Sequence, residues 1–219
     1  MKAILTAAAL AATAVASQAA SVSYSFSNLL QTTEISQTGT LGLFDSGLGT
    51  LTGASITVDG EALMSFTGTN KAAQTQVANL TSSVTLMWSS DLAALSSLLT
   101  DTIALSSTSG IQSYAVGETK SFGPFTDSNS YSKNLSAILA SLQAPGGGTF
   151  GVSCNSLSGL TVLGGGGNID TTQATQAACG ARIVYTYDEA PPPAVPEPGS
   201  LALMGLALAG LAVSRRRKA

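Results

Sequence analysis

An all-β fold, an antiparallel β-sandwich of jelly-roll type with one or two short helices, is what this sequence predicts. Three observations lead there. Runs of alternating apolar and polar residues recur along the chain, and glycine- and serine-rich stretches punctuate them. Only 10% of the 219 residues are charged, so Ser, Thr, Asn and Gln supply most of the polar surface. Period-two alternation puts one face of a strand in a core and the other in water. Several such runs separated by turn residues are the mark of an antiparallel sandwich.

The chain opens with Met1-Lys2, an apolar run from Ala3 to Ala16, and Ser17-Gln18-Ala19-Ala20. A basic start, a short apolar stretch and small residues at a cleavage point define a secretory signal peptide over residues 1–19, cut after Ala19. The body of the protein, residues 20–189, then begins with a strand. Val22, Tyr24 and Phe26 alternate with Ser21, Ser23, Ser25 and Ser27. Ile56 and Val58 alternate with Ser55 and Thr57, and Asp59-Gly60 after them reads as a hairpin turn. Val84, Leu86 and Trp88 repeat the pattern, and a closing strand runs from Arg182 to Asp188. Gly146–Gly148 and Gly164–Gly167 read as loops, the second a hairpin loop. Asp91–Leu99 and Lys133–Gln143 read as short helices, the latter stopped by Pro145.

Composition excludes several chemistries. The chain has no histidine, so Ser-His-Asp and Cys-His centres cannot be built from it. With two cysteines and no imidazole, the common zinc and copper sites also lack ligands. Net charge is −3, and four of the nine basic residues sit in the last five positions. The rest is acidic, which argues against nucleic acid as a partner. Paired carboxylates can cleave glycosidic bonds, but the acidic residues form no recognisable pair. Calcium would need only oxygen ligands from loops, yet no D-x-D-x-D-G loop is present. Gly164–Gly167 lacks the Gly-Lys-Ser/Thr that would make it a phosphate loop. No catalytic residue, metal ligand or cofactor is therefore assigned. Trp88 and the tyrosines at 24, 114, 131, 185 and 187 would either stack on sugar rings or pack in the core; alternation places Trp88 and Tyr24 in the core.

Cys154 and Cys179 are the only cysteines. In an exported chain an even count favours a disulfide. A redox pair would want C-x-x-C spacing, and a lone nucleophile would want a histidine. The bond would link the strand near Phe150 to the region before the last strand.

At Ala190 the composition shifts. Pro191-Pro192-Pro193 makes a stiff linker, residues 190–198. Val195, Pro196, Glu197 and Pro198 follow, then an uncharged apolar segment from Leu201 to Val213, then Arg215, Arg216, Arg217 and Lys218. Thirteen residues make a helix of roughly 20 Å, short of the ~20 residues of an ordinary span. The absence of charge and the basic end nevertheless read as a single transmembrane helix with a cytoplasmic anchor, residues 199–219. Gly205 and Gly210 suit close packing in lipid.

The order Val195-Pro196-Glu197-Pro198, apolar helix, terminal arginine cluster closely resembles the PEP-CTERM sorting signal of Gram-negative bacteria. The resemblance covers about 25 residues of the C-terminus. It implies recognition by an exosortase, a membrane-embedded transpeptidase resembling cysteine proteases, and removal of the helix near the motif. It further implies passage through the inner membrane, transient anchoring, and a final place on the cell surface or in the extracellular matrix. Association with extracellular polysaccharide and biofilm belongs to the same expectation, and a carbohydrate-binding module is the alternative for the β domain. Phe44, Asp45, Leu48, Gly49, Thr50 and Leu51 also resemble the entry of the choice-of-anchor E domains. Phe122–Phe125, the Gly-rich segment and Tyr185–Tyr187 follow in the same order. That resemblance brings no catalytic residues with it.

Overall fold

The computed structural model describes residues 19–190 and, in the C-terminal segment, Gly205 and Ala207. The chain divides into two compact units, Met1–Glu189 and Ala190–Ala219. Apart from Ala19, the expected signal peptide lies outside the described residues. So do the sorting motif and the basic cluster, and of the expected transmembrane helix only Gly205 and Ala207 are described, both helical. Among the described residues no helix is long and apolar enough to cross a membrane.

In the first unit the strands are, in order, β1 (Ala19–Ser27), β2 (Gln31–Thr32), β3 (Ser36–Gly42), β4 (Phe44–Asp45), β5 (Gly49–Asn70) and β6 (Gln76–Ser90). A one-turn helix α1 (Ala93–Ser96) precedes β7 (Thr102–Tyr114) and β8 (Thr119–Asn134). A 3-10 segment (Ser136–Leu142), β9 (Gln143–Ala144), β10 (Thr149–Gly164), a 3-10 turn (Gly165–Gly167) and β11 (Ile169–Glu189) complete it. One sheet has the order β1-β11-β5-β8, with β2 also on β11; the other has β3-β10-β6-β7; β4 and β9 form a short parallel ladder. Numbering only the eight long strands along the chain, the sheets run 1-8-3-6 and 2-7-4-5. Strand 1 pairs with 8, 2 with 7, 3 with 6 and 4 with 5, all antiparallel. That is a folded-over long ribbon, the jelly-roll arrangement.

Alternation makes the two sheets a sandwich. The even-numbered residues of β5 from Ala54 to Phe66 point inward and meet Leu80, Val84, Leu86 and Trp88 of β6, all buried. Their odd-numbered neighbours, Ser55, Thr57, Ser65 and Thr67, cover the outside. Hydroxyl pairs tie the strands across that outer face: Thr57 with Ser132 at 2.7 Å, Thr67 with Thr172 at 2.6 Å, Thr69 with Thr119 at 2.8 Å. The aromatics go inward. Tyr185 is fully buried, donates to the Gly42 carbonyl at 2.8 Å, and lies edge-on to Tyr24 at 6.2 Å.

Three local expectations need correction. Asp59-Gly60 is no turn: both residues sit inside the 22-residue strand β5. Gly60 is there for space, since a Cβ would lie 2.1 Å from Leu86 Cδ1 of the facing sheet. Lys133 and Asn134 belong to β8, and the helix expected over Lys133–Gln143 is a 3-10 segment from Ser136 with a kink at Ile138. The Asn134 carboxamide accepts from the Ser136 N–H at 2.8 Å and from its hydroxyl, an Asx-type turn that competes with a regular helix. The helix expected over Asp91–Leu99 shrinks to one turn, because its neighbours are held by strand ends: Asp91 Oδ1 accepts from Gly151 N–H at 2.9 Å. A fourth expectation also fails: Gly164–Gly167 is a loop, with all four glycines at positive φ, but not a hairpin, since the strands it joins, β10 and β11, lie in opposite sheets.

Candidate functional site

The last strand is far longer than its sequence signal: β11 begins at Ile169, so Cys179 lies within it rather than ahead of it. Cys154 is on β10, in the other sheet. The two form a disulfide with Cα atoms 6.4 Å apart, and both residues are 2% exposed. The bond thus staples the two sheets through the core. Gln37 of β3 lies opposite Cys154 and reinforces the staple. Its Oε1 accepts from the Cys179 N–H at 3.0 Å and its Nε2 donates to the Leu29 carbonyl at 2.8 Å. A buried amide that satisfies two backbone groups from two segments fixes their register. Nothing in the spacing of the sequence marks Gln37 for this role.

Most carboxylates are structural. Asp45 Oδ1 accepts from Gly47 and Gly146 N–H groups, both at 2.9 Å, and so closes the β4–β9 corner. Glu34 Oε1 accepts from the Ser158 N–H and hydroxyl at 2.8 Å. Glu118 Oε2 caps the β7–β8 turn through Ala115 N–H at 2.7 Å. Asp127 Oδ2 takes the Ser106 N–H at 2.9 Å and joins the two sheets along one side. Asp101 pairs with Lys133 at 2.6 Å. Beside that pair Tyr131 donates to the Asp101 carbonyl at 3.1 Å, and burial, with the Asp101 charge second, pushes its phenol up to about 12.

Two carboxylates are different. Asp59 and Glu61 stand on the outer face of β5, and with Ser128, Asn129 and Ser130 of β8 they border an open groove of about 460 Å³. Across from them on β11 stand Gly180 and Ala178. A Cβ at Gly180 would meet Asp59 Oδ2 at 2.5 Å, so the glycine makes room for that carboxylate to lie over β11. Loss of water among the strands raises the Asp59 carboxyl above its ordinary value. The groove presents acceptors and hydroxyls on a flat sheet. No three of His, Cys, Asp and Glu converge among the described residues, so no metal centre is assigned there.

The aromatic side chains do not form an exposed row. Trp88 and Tyr131 pack edge to face at 5.9 Å, and Phe44 contacts Tyr187 at 5.0 Å. Tyr114 and Tyr185 are fully buried. Trp88 and Tyr24 are in or against the core, as their alternation predicts.

Sandwich and disulfide are those of an exported β protein. Residues 194–218 match the PEP-CTERM protein-sorting motif. The chain therefore carries the signal that an exosortase reads, and it is a secreted protein sorted to the cell surface. The match takes in Val195, Pro196, Glu197 and Pro198 at one end and the basic cluster Arg215, Arg216, Arg217 and Lys218 at the other. No curated protein matches the chain. Among solved structures, a chain of the T=1 particles derived from infectious bursal virus is 11% identical, with a TM-score of 0.19 over 89% of this chain and 47% of that one. A chain of the infectious bursal disease virus Gx strain is also 11% identical, at TM-score 0.19 over 88% and 49% respectively. This chain spans about half the length of those solved chains, and likeness at that level carries no argument.

Proposed function

We propose that the protein is a non-enzymatic component of the cell surface or extracellular matrix, cut from its membrane tail by an exosortase and associated with extracellular polysaccharide. The observation that carries the reading is the sorting motif over residues 194–218. Its physical logic is simple. Flanking prolines are the residue type that keeps a peptide extended and open to an enzyme in the bilayer, and a basic cluster is the type that fixes depth. The run from Phe44 to Leu51, in its likeness to the choice-of-anchor E domains, points to the same setting.

A non-enzymatic role is supported by the missing histidine and by five carboxylates, Glu34, Asp45, Asp91, Glu118 and Asp127, that are occupied with backbone N–H groups. Polysaccharide association draws on the outer face of the β1-β11-β5-β8 sheet, where serine and threonine hydroxyls surround Asp59 and Glu61. Such a face would hydrogen-bond sugar hydroxyls. A stacking carbohydrate module is disfavoured, since it needs an aromatic platform and, of the aromatics among the described residues, only Phe125 is exposed.

The test is a variant in its native host with Pro196→Ala, Glu197→Ala and Pro198→Ala combined, followed through membrane and released fractions. The proposal expects wild-type protein in the released or surface fraction and the variant retained in the inner membrane. Equal distribution of the two would refute it.

A further inference from the structure

The β3-β10-β6-β7 sheet contains no Asp, Glu, Lys or Arg. Every charged residue that lies in a long strand belongs to the other sheet. The described residues 19–190 carry four basic and eleven acidic side chains, a net charge of −7, so this segregation is not a trivial result of neutrality. Two copies approaching on the opposite face bring the carboxylates of its strands together, whereas the strands of this face contribute none, Asp127 and Glu34 lying at its rims on Ser106 and Ser158.

The same face displays large aliphatic side chains. Leu157 and Met87, 60% and 39% exposed, are diagonal neighbours on adjacent strands, two residues apart in register. Leu163, Ile111 and Val77, 75%, 80% and 54% exposed, form a second group. Register makes these groups into ridges. Leu157 is opposite Thr85, and Thr85 is opposite Ala104. Leu163 is opposite Asn79, and Asn79 is opposite Ile111. Between the ridges lie the small residues Gly159, Ser83 and Ser106, aligned across three strands. The ridges are six residues apart on β10, about 20 Å at strand rise.

We propose that this face is where a second copy of the chain docks, sheet on sheet. A two-fold axis in the plane of contact, running across the strands midway between the Gly159-Ser83-Ser106 and Thr161-Thr81-Thr108 rows, sets Leu157 on Leu163 and hydroxyl row on hydroxyl row, as an isologous interface requires. Four strands at their usual spacing and about 40 Å of length give a footprint of roughly 750 Å² per copy, the size of a standard stable interface. Among the described residues the face has no aromatic platform, and its strands carry no carboxylate, Asp91 reaching it only at Gly151 beyond the ridges, so aliphatic ridges favour a protein surface over a polysaccharide. The inference does not depend on the sorting motif or on what the opposite face binds.

The experiment is sedimentation velocity on the exported protein purified from its host, between about 1 and about 100 μM, a range that brackets micromolar association. Leu157→Lys with Leu163→Lys places two charges on the ridges; both positions are exposed, and intact Cys154–Cys179 with unchanged circular dichroism checks folding. Glu61→Lys, on the opposite sheet, is the control. The proposal expects a reversible dimer whose dissociation constant rises at least about tenfold in the double variant and stays unchanged in the control. Monomers throughout would overturn it, as would a dimer indifferent to the ridge substitutions. A monomer that cosediments with a neutral polysaccharide only while the ridges are intact would overturn it too and give the face to sugar.

Discussion

Replacing both cysteines, Cys154→Ala with Cys179→Ala, should cost the domain a large share of its stability. The two are 25 residues apart, and that loop closes between opposite sheets. In the chain-entropy model such a link removes about 12 cal/mol/K from the unfolded chain, or about 3.5 kcal/mol near 25 °C. Both sulfurs are buried, so the void left behind adds about 1 kcal/mol. Domains of this size are usually stable by about 5–15 kcal/mol, which makes the expected loss of about 3–5 kcal/mol conspicuous. At about 2–4 °C per kcal/mol the melting temperature should fall by about 7–14 °C or more. Guanidinium titration followed by circular dichroism gives the free energy directly. The slope should also rise, because the unlinked denatured chain exposes more surface. A loss below about 1 kcal/mol with unchanged slope would refute the argument, since both the entropy term and the buried position would then be irrelevant.

Gly60→Val should destabilise by more than about 2 kcal/mol through overpacking against Leu86, and adding Leu86→Ala should recover part of the loss; additive effects in urea titration would contradict this. Gln37→Leu leaves the Cys179 N–H and the Leu29 carbonyl without their partner in the core, costing about 1–3 kcal/mol, measurable by the same titration. Asp59 has a folded-state carboxyl raised above 3.8, so the folded protein binds the extra proton and the wild type loses stability as pH rises from 3.8 through the folded value. Asp59→Asn should therefore match wild type more closely below that window and gain on it above, and a constant difference across the pH range would show that the carboxyl is unperturbed.

How much of this was legible in the sequence depended on whether neighbours along the chain carried the signal. Val22, Tyr24 and Phe26 against four serines stated a strand outright, and β1 pairs through all nine of its residues. Trp88 and Tyr24 declared their core positions by the same alternation. Asp59-Gly60 misled because Asp-Gly is the residue pair of tight hairpins, whereas here the glycine is demanded by Leu86, 26 positions away along the chain. The start of β11 was hidden for a related reason. Thr171 to Ala178 is a run of small and polar residues without strong alternation, and its strand state is set by eight cross-strand partners on β5, Gly68 to Glu61. Cys154 and Cys179 were readable as a pair, but their linking of opposite sheets, and the part of Gln37 beside them, follow from topology alone. The segregation of charge onto one sheet was likewise invisible until strand order was known. The sorting signal, by contrast, was carried whole by local order in the last 25 residues.

The central claim is that the tail is an address that is read and removed. Its most direct test is the intact mass of the protein from membrane and released fractions of the native host, in strains with and without the exosortase. The account predicts a released form that ends near Pro198 in the first strain and is missing in the second. A tail intact through Ala219 in both strains would contradict it.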